Sequence, residues 1–221
     1  QGNGFTGTSI VLITPDAERT MNTHLGMCRE YNVKDIDEEL LMSSSFLYFT
    51  GYMWDTDSQK EAIQKAVDIA RSNNVKICFD VADPFVVERN REDFFEFIKN
   101  NVDIVFANQP ELLILFESKD IGQSIDRLMN IVNCGGVKLG KKGSIVFNNH
   151  EKSNIEPKLV SAKDTTGAGD MYAAGFLSQF FKTNDFVASG KVGSALAEEI
   201  IQINGAQFDK NKMNEIRSKI F

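Results

Sequence analysis

Asp164-Thr165-Thr166-Gly167-Ala168-Gly169-Asp170 leads directly into an apolar stretch at residues 171–181, so a glycine-containing acidic turn opens a helix. Backbone amides in the first turn of a helix have no partner within it and lie at the positive end of its dipole. The amides of residues 167–169 therefore predict an anion site, and phosphate is the obvious candidate. Asp170 follows immediately and would act there as a base or a metal ligand. The alternative is a capped glycine turn without a ligand, which many proteins contain.

Strand and helix patterns alternate through the rest of the chain. The predicted strands are 8–14, 19–25, 46–50, 76–80, 103–107, 136–140 and 144–147. The predicted helices lie around 62–70, 94–98, 109–116, 121–132, 168–181, 186–204 and 210–220. This alternation predicts one α/β domain over residues 1–221, with a mostly parallel central sheet flanked by helices on both faces and a small β hairpin near the N-terminus. Sites in such sheets lie at the carboxyl ends of the strands.

The overall composition excludes several classes of protein. Hydrophobic residues make up 42% of the chain and charged residues 25%, which predicts a soluble globular protein with no membrane span. The 24 Lys and Arg against 31 Asp and Glu give a net charge of −7, which argues against a nucleic-acid partner. Three widely spaced cysteines and two histidines predict neither a disulfide framework nor a zinc site, and they fit a reducing cytoplasm.

Asn108 and Glu111 directly follow a predicted strand and open a predicted helix. An amide and a carboxylate three residues apart at such a junction predict a site for hydrated Mg²⁺, because this ion prefers oxygen ligands and keeps several of its waters. The alternative is an Asn cap with an acidic first helical turn.

Two other motifs have a ligand-binding interpretation, and a third does not. The lysines and glycines of residues 137–143 predict the approach of a nucleotide, with a plain turn between strands as the alternative. Phe85, shortly after a strand, predicts an aromatic platform for a ligand, with a core position as the alternative. Residues 2–7 match G-x-G-x-x-G, but this motif precedes a strand instead of opening a helix, which excludes a dinucleotide fingerprint.

Together, residues 108–111, 137–143 and 164–170 resemble the ribokinase-like (PfkB) family of carbohydrate and nucleoside kinases, in order and spacing over nearly the whole chain. The resemblance implies that Asp170 is the catalytic base and that the amides of Gly167, Ala168 and Gly169 form an anion hole. It implies ATP and Mg²⁺ as cofactors, with Asn108 and Glu111 binding the metal through water, and a potassium-type ion near Asp164 and the Gly205 loop. The nucleotide-binding residues that it implies are Lys138, Gly140, Gly143 and Ser194.

Within the family, residues 14–21 and 82–85 are most similar to adenosine kinases and their bacterial relatives. The acceptor-binding residues that this likeness implies are Met21, Thr23, Leu25, Phe85 and Thr166, with residues 1–25 as lid and acceptor wall. The expected reaction is ATP-dependent phosphorylation of a hydroxymethyl group on a nucleoside or sugar, with adenosine favoured. The alternatives are a ribokinase- or fructokinase-type sugar kinase and a non-catalytic nucleotide-binding homologue.

Relatives carry a further N-terminal segment, with a Gly-Gly signature and polar residues that hold the acceptor, ahead of the point that matches Gln1. The resemblance therefore describes the C-terminal two-thirds of a family member and predicts that the chain is N-terminally truncated. The sequence leaves a homodimer open and does not fix the oligomeric state.

Overall fold

The computed structural model describes residues 4–15, 19–149 and 151–220. Its strands are β1 (Thr8–Ile13), β2 (Arg19–His24), β3 (Phe46–Thr50), β4 (Lys76–Asp80), β5 (Ile104–Asn108), β6 (Cys134–Lys138), β7 (Ser144–Asn148) and β8 (Glu151–Ile155). Its α-helices are α1 (Glu38–Met42), α2 (Asp57–Ser72), α3 (Pro84–Asn101), α4 (Gln109–Leu115), α5 (Ile121–Met129), α6 (Ala168–Thr183), α7 (Phe186–Ile200) and α8 (Lys210–Ile220). Short 3-10 helices lie at Gly26–Glu30, Val33–Asp35, Gly51–Trp54 and Gly140–Lys142.

The central sheet has six strands in the order β3-β4-β5-β6-β7-β8. The pairs β3/β4 and β4/β5 are parallel, with Phe49 opposite Phe79 and Phe79 opposite Val105. The pair β7/β8 is antiparallel. Helices pack on the sheet, among them α2 on β3 and β4, α4 on β5, and α7 on β7 and β8. The predicted α/β class with a mostly parallel sheet is therefore confirmed.

β1 and β2 form a separate two-stranded sheet, which confirms the predicted hairpin. Pro15 begins its turn, and residues 16–18 lie outside the described residues, as do residues 2 and 3 of the G-x-G-x-x-G match. The strand predicted at 136–140 is instead β6, two residues earlier, because the chain turns into the 3-10 helix at Gly140.

Contacts divide the chain into two compact units. The first unit contains Gln1–Ser9 and Thr23–Val137, and the second contains Ile10–Asn22 and Lys138–Phe221. One domain over residues 1–221 stays a prediction.

Aromatic rings form the centre of the first unit. Trp54 packs with Phe94 at a ring-centroid distance of 5.4 Å and with Phe97 at 4.9 Å, and Phe79 contacts Phe49 at 5.3 Å. Phe79 and Phe94 are fully buried. Such rings bury large apolar areas and prefer tilted or edge-to-face packing, so this cluster fixes α3 against β3 and β4.

Helix α6 has its own buried anchor in the second unit. The Tyr172 hydroxyl donates a hydrogen bond to Ser144 Oγ at 2.8 Å, and both side chains are buried. Burial raises the pKa of the Tyr172 phenol, so it stays a neutral donor. Phe176, one turn further along α6, is fully buried. These contacts hold the first turns of α6 next to the start of β7.

The three cysteines are expected to differ in reactivity. Cys28 is exposed, whereas Cys78 and Cys134 are buried. Burial raises the pKa of both buried thiols, that of Cys134 to about 12. The native state therefore favours the protonated thiol. The raised thiol pKa values therefore stabilise the folded protein at a pH below the pKa of a thiol in the unfolded chain. This stabilisation is lost as the pH rises towards the thiol pKa values of the folded protein.

Since the thiolate is the reactive form, we expect a chromogenic disulfide reagent at about pH 8 to modify one of these three thiols rapidly in the native protein. All three should react after unfolding in guanidinium chloride. Rapid native modification of Cys78 or Cys134, identified by mass spectrometry, would contradict the expectation.

Candidate active site

The 164–170 turn opens α6 as the sequence predicts. Gly167 is the N-cap of α6 and has the left-handed conformation, with φ 79° and ψ 1°. The helix begins at Ala168, whose amide donates to the Thr165 carbonyl at 3.3 Å, and the Met171 amide donates to the Gly167 carbonyl at 2.9 Å. The first turn of α6 thus presents the positive end of a 16-residue helix. Asp170 lies in this turn and is exposed.

Asp164 at the start of the turn is only 2% exposed. Its Oδ1 accepts hydrogen bonds from the Thr166 amide at 2.9 Å and the Thr166 hydroxyl at 2.6 Å. Its Oδ2 accepts from the Gly205 amide at 2.8 Å. A carboxylate that is buried away from water needs such donors, because they replace the hydrogen bonds that water would give to its charged oxygens.

Position 167 requires glycine for two reasons. Its φ is positive, where side chains other than glycine are strained. A β-carbon at this position would also lie 2.8 Å from the β-carbon of Ala206. The Gly205 amide and the Ala206 contact are the parts of this site that the turn's own sequence does not reveal. The only local signal is a glycine shortly after the end of α7.

Lys138, the last residue of β6, brings a positive charge to the first turn of α6. A β-carbon placed on Gly169 would lie 3.2 Å from Lys138 Nζ, so the ammonium group reaches the backbone of this turn. Small residues and a lysine at a helix N-terminus provide a favourable electrostatic environment for a phosphate group.

The predicted nucleotide loop is a tight connection between β6 and β7. The Leu139 amide donates to the Gly143 carbonyl at 2.8 Å, and the Gly143 amide donates to the Gly140 carbonyl at 3.0 Å. Gly140 and Gly143 have φ values of 59° and 82°. Ser194 lies inside α7 and is half-buried. The nucleotide roles of these residues stay predictions.

Asn108 and Glu111 form a capping box at the start of α4. The Glu111 oxygens accept from the Asn108 amide at 2.7 Å and from Asn108 Nδ2 at 2.5 Å, and the Glu111 amide donates to Asn108 Oδ1 at 2.9 Å. The alternative interpretation, an Asn cap with an acidic first helical turn, is therefore present at the carboxyl end of β5. Among the described residues, no group of three or more His, Cys, Asp or Glu side chains is arranged to hold a metal ion. The Mg²⁺ role of this pair stays a prediction.

The predicted acceptor residues lie in several elements. Met21 and Thr23 alternate along β2, and Leu25 follows it. Met21 is 49% exposed, and Thr23 Oγ1 lies 2.8 Å from Ser9 Oγ. Phe85 near the start of α3 is 75% exposed, so it is not a core residue. The hydroxyl of Thr166, the remaining member, is bonded to Asp164.

The α/β sheet carries a glycine turn, a lysine and a carboxylate at one helix N-terminus. These features are expected of a protein that binds phosphate groups. The model of the pfkB family of carbohydrate kinases matches residues 1–213, so the chain belongs to this family.

Relatives with different names match this chain. The crystal structure of adenosine kinase from Sinorhizobium meliloti superimposes with a TM-score of 0.92 and 33% identity, covering 96% of this chain and 66% of that one. The 5-dehydro-2-deoxygluconokinase of Clostridium botulinum is 26% identical over 201 residues, which cover 86% of this chain and 59% of the relative. The nucleoside kinase of Methanocaldococcus jannaschii is 31% identical over 150 residues, covering 65% of this chain and 46% of the relative. In each case, the match spans less than two thirds of the relative's length.

None of the described helices is both long enough and apolar enough to cross a lipid bilayer.

Proposed function

We propose that the whole protein transfers the γ-phosphoryl group of ATP to a hydroxymethyl group on a nucleoside or sugar, with adenosine as the favoured acceptor. The observation that carries this proposal is the 164–170 turn, where the N-terminus of α6 and Lys138 Nζ lie together in one compact unit. Membership of the pfkB carbohydrate kinase family supports it.

The proposed chemistry needs a base and a group of positive dipoles. Asp170 accepts the proton of the acceptor hydroxyl, whose oxygen forms a bond to the γ-phosphorus as the bond from phosphorus to the ADP oxygen breaks. The α6 amides and Lys138 stabilise negative charge on the transferred group. Holding the two reactants in line supplies much of the rate.

The family implies Mg²⁺, and the residues at the start of α4 are compatible with it. Asn108 and Glu111 lie together at the carboxyl end of β5, where their side-chain oxygens would contact a hydrated ion through its waters. When bound, such an ion would neutralise charge on the nucleotide phosphates. The potassium-type ion near Asp164 rests on the family resemblance alone.

Two observations support adenosine as the acceptor, namely one relative and one exposed side chain. The S. meliloti structure is an adenosine kinase, whereas the C. botulinum relative acts on a sugar acid by name. The exposed ring of Phe85 favours an acceptor that carries a base, because aromatic rings stack on bases.

Steady-state ADP release by the complete natural protein, measured with adenosine, other nucleosides, ribose and fructose, tests the proposal. We expect adenosine to have the highest kcat/KM. A preference for ribose or fructose would support a sugar kinase instead. Calorimetric binding of ATP and Mg²⁺ without transfer to any acceptor would support the non-catalytic homologue.

Phe85→Ala is expected to lower kcat/KM for adenosine about 10-fold or more, through loss of stacking on the base. The KM for ATP should change little, because the ring faces the acceptor in this proposal. Leu40→Ala removes another exposed apolar side chain of the same unit and is the matched control. An unchanged kcat/KM for adenosine in Phe85→Ala would remove Phe85 from the acceptor site.

We also propose a cytoplasmic location, since Cys28, Cys78 and Cys134 are free thiols that fit a reducing compartment.

A further inference from the structure

We propose that Asp164 is a positioning residue for phosphoryl transfer, which holds the 164–170 turn and the loop after α7 in one fixed arrangement. This inference rests on the proposed function, because it assigns Asp164 a part in the geometry of the same site. It adds to the family resemblance, which places a potassium-type ion near Asp164 and the Gly205 loop but gives Asp164 no part in positioning the turn.

The carboxylate of Asp164 joins two segments that are far apart in sequence. Oδ1 accepts both bonds from Thr166, within the turn, and Oδ2 accepts from Gly205, 41 positions further along the chain. Because the group is buried, water does not readily replace a donor that moves away. The carboxylate therefore couples the position of one loop to the position of the other.

Other contacts show that the two segments meet along their length. The amides of Lys163 and Asp164 donate to the Ile201 carbonyl at 2.7 and 3.3 Å. Gly167 faces Ala206 so closely that position 167 has no room for a β-carbon. Asp164 is the buried carboxylate of this contact region, and it lies shortly before the residues that open α6. A shift of this loop would therefore move Gly167 and, with it, the amides at the start of the helix.

Asparagine has the same shape as aspartate but cannot accept at both ends. With its amide nitrogen towards Gly205, two donors face each other and the bond between the loops is lost. With that nitrogen towards Thr166, it faces a backbone N–H that cannot rotate away. Asp164→Asn must therefore lose a hydrogen bond either to Thr166 or to Gly205, although the side chain at position 164 keeps its volume and packing.

In the complete natural protein we expect Asp164→Asn to lower kcat about 10²-fold, as a small misplacement of the reacting groups does, with little change in the KM for ATP. Asp185→Asn is the matched control. Asp185 also accepts from two backbone amides, of Val187 and Ala188, but as an exposed helix cap, where asparagine serves equally well. The Asp185 variant should keep the wild-type kcat.

A second pair of variants tests the Thr166 side of the arrangement. Thr166→Ser keeps the hydroxyl that donates to Asp164, whereas Thr166→Val removes it at nearly constant volume. We expect the valine variant to lose about as much turnover as Asp164→Asn and the serine variant, which keeps the hydroxyl, to lose much less. Equal turnover in the serine and valine variants would overturn the coupling through this hydroxyl.

Amide hydrogen exchange measures the proposed coupling without reference to activity. In Asp164→Asn, exchange should increase in both residues 163–168 and residues 203–206, while α3 stays protected. Unchanged exchange at Gly205, or a normal kcat in Asp164→Asn, would overturn the inference. If the wild-type protein transfers phosphate to none of the acceptors, the proposed function fails, together with the catalytic consequence of Asp164. The exchange data would then still decide whether Asp164 couples the loops.

Discussion

Asp170→Asn in the complete natural protein is expected to lower turnover about 10²-fold or more. The amide keeps the size of the carboxylate but cannot accept the hydroxyl proton, so the acceptor must react without a base. ATP binding should remain largely intact, because the α6 amides and Lys138 are unchanged. Single-turnover kinetics with ATP and the best acceptor measures the chemical step, and calorimetry measures nucleotide binding.

Asp93→Asn makes the same chemical change at an exposed position of α3. Its carboxylate lies 3.8 Å from Lys60 Nζ, and an exposed pair of this kind contributes about 0–1 kcal/mol to stability. This control should keep the wild-type turnover. Near-normal turnover in Asp170→Asn would remove Asp170 from the role of base, whereas equal loss of turnover and nucleotide binding would indicate a structural defect.

The sequence predicts those elements whose signal is local. β3, β4 and β5 are short apolar runs flanked by helices with regular apolar spacing, and most residues of β4 and β5 are buried. β8 has the sequence EKSNI and is mostly exposed, so no apolar pattern marks it. The short helix α1 buries only Leu41, which leaves too little periodicity to recognise.

The candidate site also contains some residues whose placement the local sequence predicts and others whose contacts it does not predict. The glycine turn and Asp170 are contiguous, so their placement at the start of α6 is predictable from the sequence. The bond between Asp164 and Gly205 is a tertiary contact, which the sequence indicates only through a glycine after the end of α7 and through the family resemblance. The pair Asn108 and Glu111 shows a further limit, because one spacing serves both a capping box and a metal site.

Gly143→Ala is expected to lower the free energy of unfolding by about 2–5 kcal/mol, combining backbone strain and overpacking. Gly143 has φ 82° and ψ −134°, a region that is nearly exclusive to glycine. A β-carbon there would overlap the backbone carbonyl of Ile155 in β8 and lie 3.0 Å from Pro157 Cδ. Relief would require moving β8 away from β7. Guanidinium chloride unfolding of the complete protein measures the change.

Gly140 provides the matched control three residues earlier in the same loop. Its φ is 59°, and apart from its chain neighbours, no atom of the described residues lies within 4 Å of a β-carbon placed there. Gly140→Ala should therefore add only the strain of a left-handed residue, about 1–2 kcal/mol. If Gly140 also borders the nucleotide, as the family resemblance implies, its alanine variant should raise the KM for ATP while the fold persists. A smaller loss of stability in Gly143→Ala than in Gly140→Ala would contradict the division of roles, because the overlap with Ile155 is what separates the two glycines.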